Sequence, residues 1–120
     1  IKADSLELIY VALEYLATDY WENRYGDLTE EGLLNRTALK YQRGFTVTPN
    51  SDSSIAAFAN QYKLPGYCTK GGAVVNRAMD YHLKAGNKTE HLVRIYFFFD
   101  DERQQIVVGY LPEHLDTVKF

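Results

Sequence analysis

LVRIYFFFDDERQQIVVGYL, residues 92–111, decides the fold. Two runs rich in β-branched and aromatic residues, 92–99 and 106–111, flank Asp100, Asp101, Glu102 and Arg103. Such residues fit a pleated, half-buried surface, and the four polar ones between them suit a turn, so an antiparallel hairpin is predicted. With residues 100–103 as the loop, Phe99 faces Gln104. The pairs then continue as Phe97 with Ile106, Ile95 with Val108 and Val93 with Tyr110. Side chains alternate along a strand, so this set forms one apolar face that should pack on helices. The other face pairs Phe98 with Gln105, Tyr96 with Val107, Arg94 with Gly109 and Leu92 with Leu111. There a cation and a phenol sit beside a glycine, which leaves room for something to approach the backbone. His114 follows just beyond Pro112, so Arg94, Tyr96 and His114 are expected to converge. The plain alternative pairs Arg94 with an acid such as Glu113, half-buries Tyr96 and makes Gly109 a bulge.

The chain before the hairpin reads mainly as helices. Leu6, Ile9, Leu13, Leu16, Ala17, Tyr20 and Trp21 recur at three- and four-residue spacing, which predicts a helix over 4–24 capped by Asp4 or Ser5 and stopped at Gly26. A second helix starts at Leu28 with Thr29 as cap, carries Glu30 and Glu31 in its first turn, and runs to about Gln42, with Gly44 as its stop. Residues 45–48 form a short β-type run closed by Pro49 and Asn50. Ser51 or Asp52 then caps a third helix over 53–62. Residues 64–72 are expected to be a loop. A fourth helix is expected over 73–85, with Val74, Val75, Ala78, Met79, His82 and Leu83 on one stripe and Ala85, Gly86 and Asn87 as its stop. The predicted class is α+β: N-terminal helices packed on a small antiparallel sheet that ends in a C-terminal hairpin.

The chain has 120 residues, 46% hydrophobic and 14% aromatic, enough for one core, so residues 1–120 are expected to be a single domain. No apolar run approaches the 18 residues a spanning helix needs, so no membrane partner is expected. The first five residues lack the layout of a secretion signal. The single cysteine, Cys68, cannot form an internal disulfide, which fits a reducing, cytoplasmic compartment. The formal charge of −3 conceals a pattern: residues 1–35 hold eight acids against two bases, and residues 36–95 hold nine bases against three acids. A basic middle inside an acidic protein reads either as ordinary surface variation or as a local anion site, and not as general coating of DNA.

Three strings carry a resemblance. They are HLK-x-G at 82–86, RIYF at 94–97 and VVG-x-LP-x-HL at 107–115. Together they resemble a pattern in small uncharacterised proteins of bacteria and phages. More broadly they are similar to the RelE/ParE-like toxins and their wider RNase fold group, in which N-terminal helices precede an antiparallel sheet with a basic R-x-Y/F pattern on its late strands. The resemblance covers roughly residues 73–116. It implies cleavage of RNA and a protein partner such as an antitoxin or complex subunit.

RNA cleavage without a metal needs a base for the 2′-hydroxyl, an acid for the leaving oxygen and cations for the phosphorane charge. Histidine suits the first two roles. His82 and His114 fall within the resembling strings and are the candidate acid and base. Arg94 would hold the phosphate with its planar fork of donors, and Lys84 would add a second charge. Tyr96 would stack on a base or donate a hydrogen bond, beside the opening at Gly109. Each has a plainer role: a core histidine for His82, a helix-dipole lysine for Lys84, a turn cap for His114. His91 reads as an exposed loop residue. The acids 100–102 read as a solvated turn, and Thr69-Lys70-Gly71-Gly72 as a helix entry. No HExxH, CxxC or EF-hand spacing occurs, so neither a metal nor another cofactor is expected. Two competing functions are a nucleic-acid-binding module without catalysis, read as helices before a wing-like hairpin, and a protein-interaction module with a tyrosine-rich surface.

Overall fold

The computed structural model describes residues 3–86 and 92–118. The first helix, α1 (Ala3–Tyr15), passes through a π turn (Leu16–Tyr20) into α2 (Trp21–Tyr25), so the single periodic stripe of the sequence is one continuous rod. The proposed caps Asp4 and Ser5 fall within its first turn, and their side chains lie outside the described ones. Helix α3 (Glu30–Tyr41) starts as its composition predicts: the Thr29 hydroxyl accepts from the Gly32 N–H at 3.0 Å. It ends two residues before Gly44, at Gln42 in the left-handed region (φ 55°). Ser51 caps α4 (Asp52–Ala57), and α5 (Ala59–Tyr62) follows.

Helix α3 is pinned to the first rod by a buried carboxylate. Asp19 lies on the core side of the π turn and is 1% exposed. It accepts from Thr18, from the Tyr41 hydroxyl at 2.7 Å, and from Lys40 and Arg36 at 3.4 and 3.5 Å. Burial pushes its pKa up, but the hydrogen bonds from Tyr41 and Thr18 and the charge of Lys40 outweigh that and leave it lowered.

Six strands follow: β1 (Thr46–Pro49), β2 (Lys63–Cys68), β3 (Val74–Ala78), β4 (Tyr81–Ala85), β5 (Val93–Asp100) and β6 (Gln105–Tyr110). Strands β1-β4-β5-β6 form an antiparallel sheet in that order, and β2-β3 form a separate two-stranded ribbon. The α+β class is therefore as predicted, with helices first and β5-β6 as the C-terminal hairpin. The helix expected over 73–85 is instead β3 and β4, and the loop expected over 64–72 contains all but the first residue of β2. The apolar spacing there suits a helix stripe, yet Leu83 and Ala85 alternate with His82 and Lys84, and β4 gains a partner strand on both sides. Tertiary pairing overrides the helical period. Thr69 to Gly72 consequently turns β2 into β3 and opens no helix; the Thr69 hydroxyl accepts from Ala73 N–H.

The hairpin register also differs from the expected one. Asp100 pairs with Gln105, so the turn is one residue later, and Phe97 faces Val108 while Phe99 faces Ile106. A two-residue slip keeps residues 105–108 on their faces, whereas Tyr110 meets Tyr96 and Leu111 joins the helix-facing core, the reverse of the expected faces. The extra residue is absorbed by a bulge, after which Tyr110 faces Tyr96, and Gly109 no longer lies opposite Arg94. The acids of the turn are not simply solvated: Asp100 takes hydrogen bonds from Tyr67 and Arg103, and Asp101 from Arg24 and Tyr25.

Both faces of β5 are buried. Val93, Ile95, Phe97 and Phe99 pack on Leu8, Ile9, Ala12, Tyr15 and Leu16 of the first rod. Tyr96 and Phe98 pack on Tyr62, Met79 and Leu115. Each such side chain contributes about 1.5–3 kcal/mol relative to exposure. At the bulge, a Cβ on Gly109 would meet Met79 Sδ at 2.5 Å and Leu64 Cδ1 at 2.8 Å. Gly109→Ala should therefore cost about 1–3 kcal/mol by overpacking, read as a lower urea midpoint with unchanged slope. An unchanged midpoint would contradict the packing at this bulge. Asp19 adds a pH dependence. Its folded pKa is lowered, so its contribution is present above the unfolded value near ~3.9 and disappears as pH falls through the folded one. Asp19→Asn should be less stable at neutral pH and lose this part of the acid dependence in urea titrations.

Candidate functional site

The sheet face opposite the first rod is only partly covered. Along β4 and β5, His82 pairs with Tyr96 and Lys84 with Arg94; on the other side Thr48 pairs with His82 and Thr46 with Lys84. Paired residues share a face. Two rows of side chains therefore cross the sheet, Thr48-His82-Tyr96 and Thr46-Lys84-Arg94. Met79, Tyr62 and Leu115 cover the Tyr96 end, whereas Lys84 and His114 are exposed and His82 and Arg94 are partly so.

His82 is oriented by a residue that sequence reasoning missed. Its Nδ1 lies 2.7 Å from Asn50 Oδ1. Asn50 is itself clamped: its Nδ2 donates to Met79 C=O at 2.7 Å and its backbone N–H to Asp80 C=O at 2.7 Å. With the amide nitrogen engaged at a carbonyl, Oδ1 is left to accept, so His82 carries its proton on Nδ1 and presents the Nε2 lone pair. The ring is further held against Tyr96, at 5.4 Å between centroids. Burial lowers the His82 pKa, and the positive charges of Arg94, His114 and Lys84 lower it further. Lys84, Arg94 and His114 thus each sit within electrostatic reach of His82. Arg24, Arg36, Arg77 and Arg103 are each engaged with a carboxylate. Arg94 and Lys84 carry no such ion pair among the described residues.

Two expected members play other parts. Tyr96 is 1% exposed, and its hydroxyl accepts from the Leu115 N–H at 3.0 Å, so it is the floor beneath His82 and has no open ring for stacking. The room at Gly109 is filled by Met79 and Leu64. Lys84 lies on a strand, so no helix dipole accounts for it. His91 lies outside the described residues. Among the described residues, no three His, Cys, Asp or Glu side chains gather as a metal site.

A neutral imidazole with one nitrogen held, near Lys84 and Arg94, can accept a proton at its other nitrogen beside a bound anion. Its lowered pKa makes the folded state resist protonation. The stabilisation it confers is present above the unfolded value near ~6.5 and is lost as pH falls through the folded value. In a histidine NMR titration, His82 should titrate below the ordinary imidazole value, and Arg94→Met should move it upward. An unshifted His82 would contradict the clustering. Comparison of the chain with family models, curated proteins and solved structures gives no match, so the geometry and the sequence carry the functional argument.

Proposed function

We propose that this protein is a toxin-like or defence-related endoribonuclease that cleaves RNA by acid–base chemistry at His82, Arg94, His114 and Lys84. The observation that carries the proposal is His82, held through Nδ1 by Asn50, with its pKa lowered by burial and by Arg94, His114 and Lys84. The similarity of residues 73–116 to RelE/ParE-like proteins points the same way.

In the proposed reaction, Arg94 and Lys84 hold the non-bridging oxygens of one phosphate. His82 Nε2 takes the proton of the adjacent 2′-hydroxyl, and the 2′-oxygen bonds to phosphorus. The bond from phosphorus to the 5′-oxygen breaks, and His114 donates a proton to that oxygen. The products are a 2′,3′-cyclic phosphate and a 5′-hydroxyl. Every bond formed and broken is internal to the RNA, and the two histidines exchange protonation states. The lone cysteine and the expected antitoxin-like or subunit partner fit a cytoplasmic setting for such an activity.

Incubation with mixed single-stranded RNA in EDTA should give fragments bearing cyclic phosphate termini. His82→Ala or His114→Ala should slow cleavage by about 10²–10⁴-fold, and Arg94→Ala should weaken it by a comparable order, with thermal midpoints that show the variants folded. Salt-sensitive RNA binding without fragments would replace this function with a non-catalytic nucleic-acid module. Neither binding nor cleavage would overturn both.

A further inference from the structure

The two edges of the main sheet are treated differently. Strand β1, at one edge, is four residues long and ends in Pro49, features that blunt pairing. Strand β6, at the other, reads Gln105-Ile106-Val107-Val108-Gly109-Tyr110, with neither charge nor proline. Among the described residues no strand covers its outer side. Up to the bulge at Gly109, this uncharged edge is a template for another strand.

A groove of about 570 Å³ runs beside that edge, walled by Leu13, Ala17 and Trp21 on the rod and by Ile106 and Val108 on β6. The apolar stripe continues along α1 through Tyr10 and Leu6, which are 67% and 54% exposed. Contiguous exposed apolar surface of this kind marks interaction sites. The groove lies on the α1 side of the sheet, opposite the face that carries His82 and Arg94, so it is separate from the proposed RNA site.

Charge selects the occupant. Glu7 and Glu14 flank the stripe on α1, and exposed Glu102 stands in the turn at the start of β6. Asp19 is buried and Glu22 is paired with Arg36, so Glu7, Glu14 and Glu102 carry the charge of this rim. A second copy of the chain is disfavoured. Two-fold pairing of β6 would keep both acidic rods on the same sheet face, side by side. We propose that β6 and the first helix dock an extended segment of another polypeptide that adds a strand to β6, seats apolar side chains in the groove and presents lysine or arginine to the acidic rim.

Two fluorescein-labelled nine-residue peptides test this, one alternating Val with Lys and one alternating Val with Glu. Anisotropy should show the Val/Lys peptide binding the wild type at least about tenfold more tightly than the Val/Glu peptide. Hydrogen exchange should slow at residues 105–110 in the complex. Ala17→Lys, at an exposed position, should weaken binding about tenfold without moving the thermal midpoint, and Glu14→Lys should narrow the preference between the peptides. No binding of either peptide, equal binding of both, or protection elsewhere would overturn the proposal. So would a concentration-dependent dimer abolished by Ala17→Lys, which would assign the edge to a second copy. None of these readouts involves RNA, so failure here leaves the nuclease proposal to its own test.

Discussion

Burial of β5 on both faces is the constraint from which the rest follows. Every residue from Ile95 to Phe99 is 9% exposed or less, although the strand belongs to an antiparallel sheet that could leave one face wet. Two layers must then be built. The first rod and α3 supply one. On the other side, α5, the β2-β3 ribbon and Leu115 supply a smaller one over Tyr96 and Phe98. The bulge at Gly109 belongs to the same demand, because Met79 and Leu64 can approach β6 only where a side chain is missing.

The smaller layer stops short, and its edge creates the polar site. Past Tyr96, the rows across β1, β4 and β5 change from aromatic to Thr, His, Lys and Arg. His82 stands at the boundary, with its ring against the buried Tyr96 and its charge state set by burial and by neighbouring cations. Gathering like charges works against stability, and here it is not relieved by ion pairs to Arg94 or Lys84 among the described residues. An anion binding there would relieve it. Elsewhere the protein treats buried charge conventionally, as with Asp19, whose oxygens are met by hydroxyls and cations from two helices.

Much of this was legible in the sequence where local chemistry dominates. The hairpin followed from two β-rich runs and a polar turn, the first rod from its apolar period, and α3 and α4 from Thr29 and Ser51. Residues 73–85 were misleading because short apolar spacing fits a helix stripe and a pair of strands alike, and only pairing with β1 and β5 decides. His82, Lys84, Arg94 and His114 were singled out from motif positions, which could not say whether the two histidines meet in space, and Lys84 and His82 lie on a strand rather than at a helix end. Tyr96 and Gly109 were assigned to the site for want of knowledge of the second layer that covers them. Asn50 carried no signal as the partner of His82, since the two are 32 residues apart and meet only through the β1-β4 register.

The central claim is that His82 and His114 flank one bound phosphate. It is tested most directly by titrating a non-cleavable 2′-fluoro RNA dinucleotide while following the imidazole signals by NMR. The account predicts that both histidines shift along a single saturation curve, that His82 keeps its proton on Nδ1, and that its pKa rises as the phosphate offsets the surrounding positive charge. Saturation that moves only one of the two, or neither, would contradict it.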